Sequence, residues 1–360
     1  MGFIHRRAAL SERLRRRQLA AWVLVPGPNL RYLTGLAVES TERLWFYVER
    51  AESDPFVICP EFEAARVTAQ WPDIKLYTYR DESGPAAAVA RSLAVFGTRT
   101  VSIGAEFAVM RLVERAAVER AVPRARWLAI DSDVATLRQV KDADELGAIN
   151  LAAGAARKAA AAGIAVARAG VSESQIRAAC QSELTACGTS SPFGVVVASG
   201  PRSAEPHAEA SARILEDGDL CWIDLGAVVG GYCADLTRTL LVGEGGGPDL
   251  HRALRLVREA QRRAIDAVRP GRTAGEIDAI ARGWLGEHGL GAYFTHRTGH
   301  GLGLEVHEAP FIVEGNDEPL RPGMVFTVEP GVYFPGVGGV RIEDDVLVTE
   351  DGCRVLTEGQ

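Results

Sequence analysis

The chain lacks the marks of a secreted, membrane-spanning or nucleic-acid-binding protein. Its six cysteines (Cys59, Cys180, Cys187, Cys221, Cys233 and Cys353) include no Cys-x-x-Cys pair. A chain of 360 residues needs no disulfide staples, so these thiols are expected as small buried hydrophobes in a reducing compartment, the cytoplasm. No apolar run reaches the roughly eighteen residues of a membrane span. No continuous apolar segment follows Met1, so no export signal is expected. Positive charge is not in excess: 40 Lys and Arg stand against 47 Asp and Glu, a net charge of −7. That balance speaks against nucleic acid as a partner. What remains is globular in composition, 47% hydrophobic and 24% charged, and the length suits two domains.

The first third alternates strand and helix. An Arg-rich start (Arg6, Arg7, Arg13, Arg15, Arg16, Arg17) carries Leu10, Leu14 and Leu19 at helical spacing, which predicts an ordinary amphipathic helix. Strands are expected at 22–25, 44–48, 56–59, 74–79 and 100–103, with helices at 61–69 and 86–95. This rhythm predicts an α/β domain with a mixed sheet over residues 1–135. Residues 131–141 read as a charged connector. The second domain, 136–360, opens with a long Ala-rich helix (144–168) and a second helix (172–186), with further helices at 250–268 and 274–288.

Residues 215–226 and 320–331 form an internal repeat at a constant offset of 105. Each copy runs Leu-x-x-Gly into a strand that delivers a carboxylate, Asp224 or Glu329, with Gly two residues later. Two related halves, each helices plus a hairpin, are expected to pack about a pseudo-twofold axis.

In the first hairpin, a turn at Val229-Gly230 would set Asp224 directly opposite Asp235. In the second, a turn around Gly336 allows Glu329 to oppose Glu343. Apolar neighbours (Trp222, Ile223, Leu225, Leu236) bury the first pair. Four converging carboxylates cannot all stay ionised in a core without cations, and two divalent metals would satisfy them. Three of seven histidines, His296, His300 and His307, fall in one segment, and His207 lies in Glu205-Pro206-His207. Glycines flank His300 and let backbone approach closely. An oxygen-rich set with one imidazole suits Mn²⁺, Co²⁺ or Zn²⁺ better than a structural zinc.

These residues resemble the pita-bread metallopeptidases: methionine aminopeptidases, aminopeptidase P and prolidase. The resemblance matches Asp224 (Ile-Asp-Leu-Gly) to the chelating aspartate and Asp235 (Ala-Asp-Leu-Thr-Arg-Thr) to a bridging one. It matches His300 (Gly-His-Gly-Leu-Gly), Glu329 (Val-Glu-Pro-Gly) and Glu343 (Arg-Ile-Glu-Asp-Asp) to the other ligands. His207, His296 and His307 match histidines around that centre. Asn29 to Gly35 and Ile58 to Glu63 resemble the creatinase/prolidase amino-terminal domain. Methionine aminopeptidases lack that domain, and creatinase lacks the metal ligands.

The resemblance implies hydrolysis of an Xaa-Pro bond by a hydroxide held between two metals about 3.5–4 Å apart, manganese foremost. Dipeptides are the expected substrates, with Xaa-Pro aminopeptidase on longer peptides as the alternative. A non-peptide C–N hydrolase and a non-catalytic binding protein are the more distant readings. Glu329 is the expected proton shuttle, and His207 and His307 the donors to the oxyanion. Arg341, on the same strand face as Glu343, is read equally as a residue orienting an acidic ligand or substrate, or as a structural pair with Asp235 or Glu343. For a substrate carboxylate the candidates are Arg43 first, then Arg202 and Arg297. Arg43 has the bland alternative of a surface pair with Glu42 or Glu39. A homodimer is expected from the resemblance and from the apolar stretch Leu44-Trp45-Phe46-Tyr47.

Overall fold

The structure, a computed structural model, describes residues 2–50 and 53–358. The chain divides into two units, one ending at Arg138 and the other beginning at Gln139. The first contains α1 (Phe3–Arg16), β1 (Ala21–Leu24), α2 (Pro28–Thr34), β2 (Phe46–Arg50), β3 (Ser53–Pro60), α3 (Ala64–Gln70), β4 (Lys75–Tyr79), α4 (Ala86–Leu93), β5 (Val101–Ala105), α5 (Leu112–Ala121), β6 (Ala125–Ala129) and α6 (Asp131–Arg138). Its sheet runs β4-β3-β2-β1-β5-β6. Strand β1 pairs parallel with β5 and antiparallel with β2, the mixed sheet expected of the alternating pattern.

Two readings change here. Residues 131–138 are a helix, not a connector; Ile130 and Val134 are fully buried and fix it to the unit. Helix α2 begins at Pro28, in the first turn, where a missing N–H costs little. The stretch Leu44–Tyr47, which leads into β2, is buried within its own unit, so it offers no face to a second copy. The Arg-rich first helix is held from its buried side. Leu10 and Leu14 enter the core, Arg6 stacks on Tyr32 and Arg7 on Trp71.

The second unit contains α7 (Ala143–Val166), α8 (Glu173–Ala186), β7 (Val196–Ser199), β8 (Leu220–Val229), β9 (Tyr232–Leu241), α9 (Pro248–Asp266), α10 (Ala274–Glu287), β10 (Gly299–Gly301), β11 (Glu308–Ile312), β12 (Val325–Val328), β13 (Gly331–Phe334), β14 (Gly338–Arg341), β15 (Asp344–Val348) and β16 (Cys353–Val355). The repeat is visible in its hydrogen bonds. Ser172 caps α8 with Gln175 in a capping box, and Thr273 caps α10 with Glu276 in another. Leu215 N donates to Val171 O, and Leu320 N to Arg272 O. Each Leu-x-x-Gly turn is thus tied to the entry of its half's second helix. Small residues on α7 (Ala152, Ala156, Ala159) let that helix lie close on β8 and β9, whose Ile223, Leu225 and Leu236 share its core.

The first hairpin has a different register from the expected one. Its turn is Gly230-Gly231, with φ of 58° and 84°. A two-residue type I′ turn needs positive φ at both central positions, which Val229 would resist. Asp224 therefore faces Thr237, and Asp235 faces Gly226. The two aspartates are diagonal neighbours on one face, not a direct pair. In the second hairpin Val328 pairs with Asp344 and Gly331 with Arg341. Both ladders share the register that opposes Glu329 to Glu343.

Candidate metal centre

The two hairpins meet along β9. Thr237 and Glu343 form an antiparallel bridge, with Glu343 N donating to Thr237 O at 3.1 Å. The Thr237 hydroxyl donates to Glu343 Oε2 at 2.6 Å. Two residues along, Asp235 N donates to Asp345 Oδ2 at 3.1 Å. Two residues the other way, Thr239 Oγ1 donates to Arg341 O at 2.6 Å. This stitching brings Asp235 and Glu343 together from opposite halves of the repeat.

His300 joins them from β10. A Cβ at Gly299 would lie 1.8 Å from Thr327 O, and one at Gly301 2.3 Å from Ala309 O. Only glycine permits this approach, so His300 is held between two strands that nearly touch its neighbours. Its main-chain N–H donates to Thr327 Oγ1 at 3.1 Å. One ligand atom each from Asp235, His300 and Glu343 lie within 4.8 Å of one another, and all three residues are buried. His300 Nε2 also lies 3.2 Å from Glu329 Oε1. His307, in the loop between β10 and β11, sets its ring edge-on to His300 at 4.2 Å between centroids. His296 contacts the Tyr333 hydroxyl through Nε2 at 3.0 Å and Arg297 O through Nδ1 at 2.7 Å. His207 is exposed in the turn after a short 3₁₀ segment, and its charge is felt at His307.

The electrostatics call for a cation. Burial, then the charges of Glu343 and Asp224, pushes Asp235 well above the carboxylate range. Burial, then Glu329 and Asp224, does the same to Glu343. Asp224 is raised by burial although Arg341 opposes the shift. For Glu329, burial is outweighed by the hydrogen bond and charge of His300, which bring it down to about 2. Asp224 Oδ1 and Asp235 Oδ1 are buried without a hydrogen-bond partner. Orphaned, crowded carboxylate oxygens around one imidazole fit hard or borderline divalent cations. A fifth carboxylate, Asp345, is fully buried beside Asp235 with its own Oδ1 unpartnered.

The arginines separate clearly. Arg341 is buried; its guanidinium donates to Asp224 Oδ2, to Thr237 Oγ1 at 3.2 Å and to the Tyr333 hydroxyl at 2.9 Å, and lies 4.4 Å from the Trp222 ring centroid. Of its alternatives, orienting an acidic residue is what the structure contains, and the acid is Asp224, not Asp235 or Glu343. Tyr333 was not anticipated from sequence, because no spacing rule ties it to Arg341 or His296. Arg43 belongs to the N-terminal unit, where Asp81 grips it at 2.8 Å and Glu42 at 2.5 Å. Arg202 is engaged by Glu173, by Ser211 Oγ at 3.0 Å and by Glu209 O at 2.6 Å. The Arg297 guanidinium has no hydrogen-bond or ion-pair partner among the described residues; it stacks 4.6 Å from the Phe311 ring centroid. The cysteines carry no disulfide; Cys59, Cys180, Cys221 and Cys233 are buried, and Cys187 and Cys353 half-buried.

Comparison with known proteins bears on the whole chain. Residues 147–350 match metallopeptidase family M24, and residues 6–140 match the creatinase/prolidase N-terminal domain. The chain is 38% identical over 315 residues to a Xaa-Pro dipeptidase of Pyrococcus furiosus, covering 87% of each. It is 39% identical over 344 residues to a probable dipeptidase, PepE, of Mycobacterium tuberculosis, covering 93% of this chain and 89% of that one. A crystal structure of prolidase from Thermococcus sibiricus superposes with a TM-score of 0.92 at 31% identity, over 100% of this chain and 98% of that one. A family whose members work with divalent metal ions thus accounts for the crowded carboxylates, and this chain belongs to it as a prolidase-type M24 metallopeptidase.

Proposed function

We propose that the chain hydrolyses the Xaa-Pro bond of dipeptides with two divalent ions, manganese first, cobalt and zinc as alternatives. The observation that carries this reading is the buried convergence of Asp235, His300 and Glu343, with unpartnered oxygens on Asp235 and Asp224. Asp235 and Glu343 would lie between the ions, Asp224 would complete one position, and His300 with Glu329 the other. Bound there, the ions supply an acidified water as nucleophile and polarise the scissile carbonyl.

The chain's own residues do the rest. Glu329 is placed to take a proton from the attacking water and pass it to the departing proline nitrogen. His307, whose pKa burial and the His300 and Arg297 charges lower to about 4, stays neutral at pH 7 and donates to the oxyanion with His207. Arg341 holds Asp224 directly and is itself braced by the Tyr333 hydroxyl, which His296 contacts in turn. A Xaa-Pro amide has no N–H, so substrate is oriented by its carbonyl and its two ends. The expected homodimer has its support in the resemblance to prolidases, and mass in solution at micromolar concentration checks it. No helix among the described residues is long and apolar enough to cross a membrane.

The test is a panel of Xaa-Pro dipeptides, Xaa-Pro-Xaa tripeptides and small amidines with added Mn²⁺. Cleavage of dipeptides far faster than tripeptides is the expected result. Equal or faster tripeptide cleavage would move the assignment to Xaa-Pro aminopeptidase, and cleavage of amidines alone would end the peptidase reading.

A further inference from the structure

Resting on the Xaa-Pro reading, we infer that Arg297, braced on the Phe311 ring, binds the free C-terminal carboxylate of the substrate and so sets its length. Three observations converge on it. First, Arg297 is the one guanidinium of the four considered that is left without a hydrogen-bond or ion-pair partner among the described residues. Arg43, Arg202 and Arg341 are each held by carboxylates of this chain. A half-buried guanidinium with no protein acceptor is partly desolvated, a cost that an incoming anion offsets.

Second, its position is fixed by the ladder. Phe311 is the direct cross-strand partner of His300 in the pairing of β10 with β11. Directly opposed residues put their Cβ atoms about 4.5–5.5 Å apart on the same face. Arg297, 4.6 Å from the Phe311 ring centroid, therefore stands one side chain away from the imidazole of the metal centre. Its charge is felt at His307, and the charge of Glu329 is felt at Arg297. In a Xaa-Pro dipeptide the carboxylate follows the scissile carbonyl by one residue, a Cα–Cα step of about 3.8 Å. A cation one side chain from the metals suits that spacing.

Third, the chemistry is that of a clamp. The planar fork of arginine matches a carboxylate bidentately, and stacking on an aromatic face fixes its plane while leaving its N–H edge open. Phe311 is 39% exposed, so the platform is reachable from solvent. A tripeptide presents an amide at this point, neutral and with one oxygen where the dipeptide has two charged ones.

The experiment compares a Xaa-Pro dipeptide with its C-terminal amide, using the Mn²⁺-loaded protein, for wild type, Arg297→Gln and Arg297→Lys. The wild type is expected to prefer the free acid by about 10- to 100-fold in kcat/KM, the range of a charge-assisted hydrogen bond. Arg297→Gln is expected to erase that preference through a raised KM on the acid, with metal content retained. Arg297→Lys, keeping charge without the fork, is expected to restore part of it. An acid/amide ratio unchanged in Arg297→Gln overturns the inference, as does an equal loss on both substrates, which marks a structural role. Absence of cleavage of both by wild type would instead overturn the Xaa-Pro reading, and the inference with it.

Discussion

The two halves of the catalytic unit follow one path but treat their carboxylates differently. In the first, β8 and β9 run unbroken for ten residues each around a Gly-Gly turn, and Asp224 and Asp235 sit inside the ladder. In the second, the corresponding path is cut into β12 with β15 and β13 with β14, and Glu329 and Glu343 fall at the cut. Pro330 accounts for the cut, since it has no N–H for the ladder. A short carboxylate on a rigid ladder faces a longer one at a break. The contrast shows how a duplicated scaffold makes an asymmetric centre: one half supplies fixed donors, the other supplies reach and an imidazole neighbour for Glu329.

That contrast can be broken by mutation. The largest effect is expected from removing a carboxylate that lies where the halves meet. Asp235→Ala, from the first half, and Glu343→Ala, from the second, should each reduce hydrolysis below detection and deplete both ions, because the remaining carboxylates repel one another without a shared cation. Metal analysis after dialysis checks this, and two ions retained in either variant would mean that its half does not bridge. His307→Ala should lower kcat by about 10²–10³, the usual cost of one oxyanion donor, with metal content intact. Metal lost in parallel with activity would make His307 a ligand instead.

Arg341→Met reaches across the halves, since it removes the partner of Asp224. Stranding a buried carboxylate costs about 3 kcal/mol or more, and urea unfolding of the metal-free variant should show it. A variant as stable as wild type would mean that Asp224 does not depend on the second half. The smallest effect belongs to the turn. Gly230→Ala places a side chain at φ 58°, where nothing lies closer than Ala148 Cβ at 3.7 Å, and should cost about 1 kcal/mol of conformational strain. Activity should be unchanged, because Asp224 and Asp235 keep their places in the ladder.

Much of this was readable in the residues. The 105-residue offset exposed the duplication, since Leu-x-x-Gly turns and carboxylate-bearing strands recur for a physical reason, the same turn feeding the same ladder. The register of the first hairpin was not readable from spacing alone: Val-Val-Gly-Gly-Tyr admits two turns, and only the positive-φ requirement at both positions selects Gly230-Gly231. Helix α6 escaped because its apolar face is short, Val134 coming just after Asp131 and Asp133, and its burial comes from tertiary packing. Asp345 escaped because its role depends on the meeting of β9 with the segment 341–345, a contact between residues about a hundred positions apart, and Tyr333 because its hydroxyl meets Arg341 and His296 only in the folded site.

The central claim is that the carboxylates of both halves build one centre for two cations that performs hydrolysis. Its most direct test is stepwise Mn²⁺ reconstitution of EDTA-treated protein, following bound metal and Xaa-Pro dipeptide cleavage together. The account predicts no activity without metal and a plateau at two ions per chain, with both absent in Glu343→Ala. Full activity in the metal-free protein, or a plateau at one ion, would contradict it.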